Sequence, residues 1–186
     1  MPALTPEGLQ QRERILRAAM ELFTANGFRG ASLDRVAAAV GISRQGVLHY
    51  FPSKTHLLLG VLELRDAETV TRAEEASAAN LSEGLLETVA HNQRSPDHTR
   101  LYTVLSAESV APENLGHEHF RERYRYLRQV LGDAVREEGF APEQDPEEVA
   151  ILLAAVMDGL QIQFLLEPEA VDMVGPLRTL LGLLTR

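Results

Sequence analysis

Arg44, Gln45, Gly46, His49 and Tyr50, with Ser32 before them and Lys54 after, carry the most specific chemistry in this chain. On a short helix, Arg44, Gln45, His49 and Tyr50 present hydrogen-bond donors and acceptors on one outer edge, and Gly46 leaves a gap in it. A helix of that kind fits the major groove of a duplex, where such groups read base edges and phosphates. Lys54 falls in the first turn of the next helix. There its charge opposes the helix dipole, but it is well placed to meet a phosphate beside free backbone N–H groups.

The elements that must position these groups are legible around them. Ser32 is a good N-cap, and Asp34 complements the dipole of the turn it starts. Leu33, Val36, Ala37 and Val40 recur at helical spacing. Gly41 stands where that helix must stop, because a left-handed residue turns the chain there without a Cβ clash. Ile42 plugs the gap between the two helices, and Ser43 caps the next, predicted over Arg44–Tyr50. Its buried side should hold Val47 and Phe51, with Leu48 beside them. Pro52 cannot continue it, and Ser53 caps a long helix with Leu57, Leu58, Val61, Leu62 and Leu64 along it. Upstream, Thr5-Pro6-Glu7 is a helix start. Ile15, Ala18, Ala19, Leu22 and Phe23 make its apolar stripe, Asn26-Gly27 ends it, and Phe28 folds back on the core.

A net charge of −9 over 186 residues looks wrong for a nucleic-acid binder, but the distribution is uneven. Residues 1–65 hold eight Lys/Arg (Arg12, Arg14, Arg17, Arg29, Arg35, Arg44, Lys54, Arg65) and five acids (Glu7, Glu13, Glu21, Asp34, Glu63), a balance of +3 that leaves −12 on the rest. A basic head on an acidic body turns its head to a polyanion. There is no cysteine, which excludes disulfides and thiolate metal sites. The first residues lack an apolar signal core, and no run reads as a membrane span, so the chain is expected to be cytoplasmic. No phosphate-cradling glycine loop and no catalytic triad order is evident. The adjacent acids Glu137-Glu138 and Glu147-Glu148 diverge on a helix, so no acid–base pair is expected. His91, His98, His117 and His119 could hint at a metal, but His117 and His119, two apart, face different ways on a helix. No cofactor and no metal are expected, and the chain is not read as an enzyme.

From about residue 66 onward the pattern is helical without strand-like alternation. Ala67–Ala79 continues or ends the connecting helix, and Leu81–His91 reads as a short amphipathic helix. Gln93–His98, with Ser95-Pro96-Asp97, reads as a loop, and Thr99–Val110 is again apolar. Ala111-Pro112-Glu113 is a break. A long helix is predicted over residues 114–138, with Phe120, Tyr124, Leu127, Leu131 and Ala134 on one face. Arg121, Glu122, Arg125, Arg128, Glu137 and Glu138 form its solvated side. Gly139-Phe140-Ala141-Pro142 ends it. Asp145-Pro146-Glu147-Glu148 starts another, apolar nearly all round from Val149 to Leu166, which must be central or packed on a second subunit. Gly159 and Ala154-Ala155 would permit a close helix approach. The last segment offers Val171, Val174, Leu177, Leu180, Leu181 and Leu184, with Pro176 at its start or at a kink. Tyr102, Tyr124, Met157, Gln161 and Phe164 interrupt apolar faces and are the candidates for a pocket, suited to a mainly apolar small molecule with one or two hydrogen-bonding groups.

The runs RERILRAAMELFTANGFRGASLDRVAAAVGIS and HYFPSKTHLLLGVLE, within about residues 10–64, resemble the DNA-binding domain of the tetracycline-repressor (TetR) family of bacterial transcription regulators. The resemblance implies an all-α homodimer with a helix-turn-helix head and a variable ligand-sensing body. It implies that Arg44, Gln45, Gly46, His49 and Tyr50 lie on the recognition helix and that Lys54 approaches the DNA backbone. Leu48 is a departure: many members carry there a tyrosine that contacts phosphate, a role of which Tyr50 is expected to take only a part. His56 stands where the family often has an acid. The stretch MDGLQIQFLLEP and the final segment resemble the family's paired C-terminal helices, which form a four-helix bundle across the dimer axis. The expected organisation is therefore a DNA-binding domain over 1–53 and a regulatory and dimerisation domain over 54–186, whose first part, 54–79, is a connecting helix. The expected function is a repressor bound to an inverted-repeat operator and released by a small molecule. The alternatives are an all-helical protein–protein adaptor with a vestigial helix-turn-helix, or a helical metal-binding enzyme.

Overall fold

The computed structural model describes residues 5–76 and 80–185. Among them lie nine helices and no strand: α1 (Pro6–Gly30), α2 (Leu33–Val40), α3 (Arg44–Tyr50), α4 (Lys54–Ala76), α5 (Leu81–Arg94), α6 (Pro96–Glu108), α7 (His117–Glu138), α8 (Pro146–Leu166) and α9 (Val174–Leu184). The last residues expected of the connecting helix, 77–79, fall outside the described ones. The chain divides between Ala67 and Glu68 into two compact units.

The first unit is built by its caps. The Thr5 hydroxyl accepts from Gly8 N to start α1, Ser32 from Arg35 N to start α2, and Ser43 from Gly46 N to start α3. Each cap satisfies one of the four N–H groups a helix start leaves free. Ser53 does the same for α4, accepting from His56 N at 3.3 Å, while its hydroxyl meets His56 Nδ1 at 2.8 Å. The residue that departs from the family's acid is thus itself part of the cap. Gly41 is left-handed at φ +74°, and Ile42 N donates back to Ala37 O at 3.0 Å, closing α2. At Gly27, φ +67° breaks the helical path of α1, and the chain makes a further turn to Gly30. Phe28 then lies edge-on to the fully buried Phe23, ring centres 5.6 Å apart.

Ile15, Leu16, Ala19 and Phe23 meet Val36, Val40, Val47, Phe51, Leu57, Leu58, Val61 and Leu62 in one core. Each large side chain there contributes about 1.5–3 kcal/mol. Ala18, Leu22, Leu48 and Leu64 lie half-buried at its margin. Gly60 lets α4 come close: a Cβ there would stand 2.9 Å from Leu16 Cδ2 and 3.0 Å from Phe51 Cε1.

The second unit packs around α8. Leu81, Leu85 and Val89 of α5, Leu131 and Val135 of α7, Leu153, Leu160 and Phe164 of α8, and Leu177 and Leu181 of α9 share its core with Phe140 and Met173. Asp145 starts α8 as expected, accepting from Glu147 N, and Gly139 ends α7 with φ +69°. Ala141 takes φ +42°, a strained value for a residue with a Cβ, and donates its N–H to Leu184 O at 2.8 Å.

Several readings need correction. The expected loop over Gln93–His98 is not one: α5 runs on to Arg94, Ser95 alone breaks the path, and Pro96 is the first residue of α6. α7 begins at His117 rather than 114, because Asn114–Gly116 form turns. α9 begins at Val174, ahead of Pro176, because both carboxylate oxygens of Asp172 accept from the free N–H groups of Val174 and Gly175. Those bonds, Gly175's foremost, hold the Asp172 carboxyl below the usual carboxylate range. Glu138 is not merely solvated: its carboxylate accepts from Leu81 N at 2.6 Å and so joins Asn80 in capping α5. Finally, α8 is long and apolar enough to cross a membrane by length and composition, against the reading that no run is.

Candidate DNA interface and effector pocket

In α3 the core takes Val47, and Phe51 just beyond it is buried too. What the core leaves out is the expected edge. Arg44, Gln45 and His49 are exposed, and Gly46 and Tyr50 are half-buried. The His49 and Tyr50 rings stand edge to face, 5.3 Å apart. Gly46 also serves packing: a Cβ there would meet Ile42 Cδ1 at 3.3 Å, tighter than ordinary contact. The short α3 is therefore seated on the α2–α3 turn by a glycine and offers its opposite edge to solvent.

The cations of this unit divide by what they touch. Arg14 donates to Val40 O at 3.3 Å and so satisfies a free carbonyl at the end of α2. Arg35 donates to Asn26 Oδ1 at 3.1 Å, and Arg12 lies over the Phe51 ring, 5.1 Å from its centre. These three hold the unit together. Lys54 is half-buried: its Nζ donates to Arg29 O at 3.4 Å and sits 4.5 Å from the centre of the Phe28 ring. Sequence reasoning missed this seat for Lys54. The signal was an aromatic residue directly after the Gly27 break. Ser32, included among the interface residues, is engaged as the cap of α2.

The second unit holds a pocket of about 490 Å³ between α6, α7 and α8. Tyr102, Tyr124 and Gln161 line it, together with Thr103, Ser106, His117, Phe120 and Asp158. Met157 and Phe164 do not. Phe164 lies in the core of the unit, and Met157, one turn before Gln161, packs against that core rather than into the pocket.

Asp158 is the residue that sequence reasoning missed. Tyr124 Oη donates to Asp158 Oδ2 at 2.6 Å across the pocket, from α7 to α8. Burial pushes the Tyr124 phenol above its ordinary value, and the Asp158 carboxylate pushes it further. The phenol therefore stays protonated at neutral pH and remains the donor. Tyr102 and Phe120 pack edge to face with centres 5.0 Å apart. His117 Nδ1 meets Ser109 O at 2.9 Å; a carbonyl only accepts, so that nitrogen carries the proton. Among the described residues, no group of three or more His, Asp or Glu converges on a point where a metal could sit.

One further surface stands out in the second unit. Ile151, Leu152, Ile162 and Leu166 of α8 and Leu183 of α9 are exposed, Leu166 to 76%. Only 39% of the apolar stretch of α8 is buried within the chain.

Residues 15–61 match the family of bacterial regulatory proteins of the tetR type, and residues 77–181 match the C-terminal domain of BetI-type transcriptional repressors. The HTH-type transcriptional repressor AcnR of Corynebacterium diphtheriae is 32% identical over 139 residues, covering 74% of this chain and 68% of that protein. The nucleoid occlusion factor SlmA of an Enterobacter species is 28% identical over 163 residues, covering 83% and 82%. The crystal structure of a transcriptional regulator from Saccharomonospora viridis in complex with choline shares the fold, with a TM-score of 0.75 at 24% identity over 94% of both chains. Two domain matches in the order of the two units, a capped helix-turn-helix in the first and an all-helical second, lead to one assignment: the chain belongs to the TetR family of bacterial transcription regulators, with a DNA-binding helix-turn-helix domain.

Proposed function

We propose that the protein is a homodimeric repressor of the bacterial cytoplasm that binds an inverted-repeat operator and releases it when a small molecule enters the pocket. The observation that carries the DNA half is the outer edge of α3: Arg44, Gln45 and His49 stand exposed after the core is filled, with Lys54 one short turn beyond. Arg44 and Gln45 are the base-reading groups, Tyr50 a phosphate contact in the place vacated at Leu48, and Lys54 a backbone contact at the start of α4. One such helix reads only a few base pairs. Two, held about 34 Å apart or somewhat more, read a palindrome. The exposed apolar face of α8 and α9 supports the pairing of two copies. In this reading residues 1–53 are the DNA-binding domain, and 54–186, opening with α4, regulate it.

The pocket supports an effector with an apolar body and a cationic head. Phe120 supplies ring surface beside Tyr102 and Tyr124, over whose rings Arg123 lies, and Asp158 supplies a carboxylate. The choline complex of the Saccharomonospora regulator supports the same class. An effector that prefers one state of the dimer changes operator affinity by the same coupling energy.

Selection of bound duplexes from a random pool tests the DNA half. Palindromic half-sites are expected, with Arg44→Ala costing about 1–3 kcal/mol and relaxing one position. Recovery of no symmetric site at low salt would refute the reading. For the effector, choline should raise the melting temperature of the wild type and leave Asp158→Asn unmoved. A wild type indifferent to choline and to tetramethylammonium would exclude the cationic class.

A further inference from the structure

We propose that His117 is a second anchor of the effector pocket, its Nε2 accepting a hydrogen bond from a hydroxyl at the end of the ligand remote from the cation. This rests on reading the pocket as the effector site and Asp158 as the seat of a cationic head.

The two groups stand apart along the cavity. On α7 the pocket is lined from His117 to Tyr124, with Phe120 between them. Tyr124 marks the Asp158 end, because its Oη donates to that carboxylate at 2.6 Å. His117 lies seven residues before Tyr124, nearly two turns, and so on the same side of the helix and about 10 Å away along its axis. A cavity of about 490 Å³ has room for a ligand that reaches from one to the other.

The turn before α7 fixes the imidazole. His117 Nδ1 donates to Ser109 O at 2.9 Å, and His117 N donates to Asn114 O at 3.0 Å. Asn114 Oδ1 accepts from Gly116 N at 2.9 Å and from the hydroxyl of the buried Ser109 at 3.3 Å. Gly116 is pressed so closely on this turn that a Cβ there would collide with Ser109 Oγ. With the proton on Nδ1, the Nε2 of a neutral imidazole can only accept. Among the described residues no hydrogen bond reaches it. Arg121, which also lines the pocket, is paired with Glu118 at 2.6 Å. An open acceptor on a largely apolar cavity is matched by a donor, and an alkyl group set against it would leave it desolvated and unpaired. The effector class is therefore an alkylammonium that carries a hydroxyl at its other end.

Two probes test this, (6-hydroxyhexyl)trimethylammonium and hexyltrimethylammonium, each titrated calorimetrically into the full chain. The hydroxyl compound is expected to bind the wild type about fivefold more tightly. His117→Asn keeps an amide donor for Ser109 O and removes the acceptor at the Nε2 position. In that variant the preference should vanish, because a buried hydroxyl without a partner gains nothing over a methyl group. If His117→Asn loses helical content by circular dichroism, His117→Phe, which keeps a planar ring, takes its place. A wild type that holds the two probes equally, or favours the alkyl one, overturns the proposal and leaves the cationic reading standing. A hydroxyl preference that survives in the variant does the same. A wild type that binds neither probe overturns both.

Discussion

Two junctions in this protein do the same job by opposite means. Between α2 and α3 the chain turns through Gly41, Ile42 and Ser43. The glycine takes the left-handed conformation, Ile42 N closes the old helix on Ala37 O, and the Ser43 hydroxyl opens the new one on Gly46 N. Between α5 and α6 a single residue, Ser95, separates the helices at φ −126° and ψ 58°, and its side chain caps nothing. There the Thr99 hydroxyl, fully buried, donates back to Asn92 O at 2.9 Å, and Gln93 accepts from Met173 N at 2.9 Å. The first junction is made by its own residues. The second is held by bonds that span seven and eighty positions, a distinction that decides what mutation can reach.

The largest effect is expected where the distant hold is cut. Thr99→Val keeps the shape of the side chain and deletes the buried bond to Asn92 O, which should cost about 2 kcal/mol in urea unfolding. A loss under about 0.5 kcal/mol would mean that packing alone fixes the α5–α6 angle. Gly41→Val comes next. Nothing lies within 4 Å of an added Cβ, so the cost is the backbone's alone, about 1–2 kcal/mol for a side chain at φ +74°. The same variant should weaken operator binding, because α3 starts three residues later. Ser43→Ala should follow at about 1 kcal/mol, the usual cost of a lost cap.

This contrast also explains what could be read in advance. The first unit was legible almost residue by residue, because Ser32, Gly41, Ser43 and Ser53 act on backbone groups within a turn of themselves, and local chemistry is what a sequence displays. The α5–α6 junction was misread for the complementary reason. Ser95-Pro96-Asp97 has the composition of a loop, yet proline and an acid are equally at home in the first turn of a helix. Only Asn92, Gln93 and Met173 decide between them. The pocket shows the same split. Tyr102, Tyr124 and Gln161 were visible as polar interruptions of apolar faces. Asp158 was not, since its role depends on Tyr124, thirty-four residues earlier on another helix. Met157 and Phe164 looked equivalent to Gln161 until the rotation of α8 against its core was known, and an all-round apolar helix hides its own rotation.

The smallest expected effect is the sharpest test of the comparison. Ser43 and Ser95 look alike in sequence, each a serine directly before a helix, and a rule based on residue type would charge both the same when changed to alanine. In the structure the Ser43 hydroxyl accepts an N–H, whereas Ser95 offers α6 only its backbone carbonyl, which Thr99 N reaches at 3.0 Å and which alanine would keep. Pro96, lacking an N–H, also reduces the donors that a cap there could satisfy. Ser95→Ala is therefore expected to shift stability by less than about 0.5 kcal/mol, the ordinary range for a side chain with no special partner. Paired with Thr99→Val it should add nothing to that variant's loss. If instead it costs as much as Ser43→Ala, the α5–α6 junction carries its own local cap after all, and the division drawn between the two junctions fails.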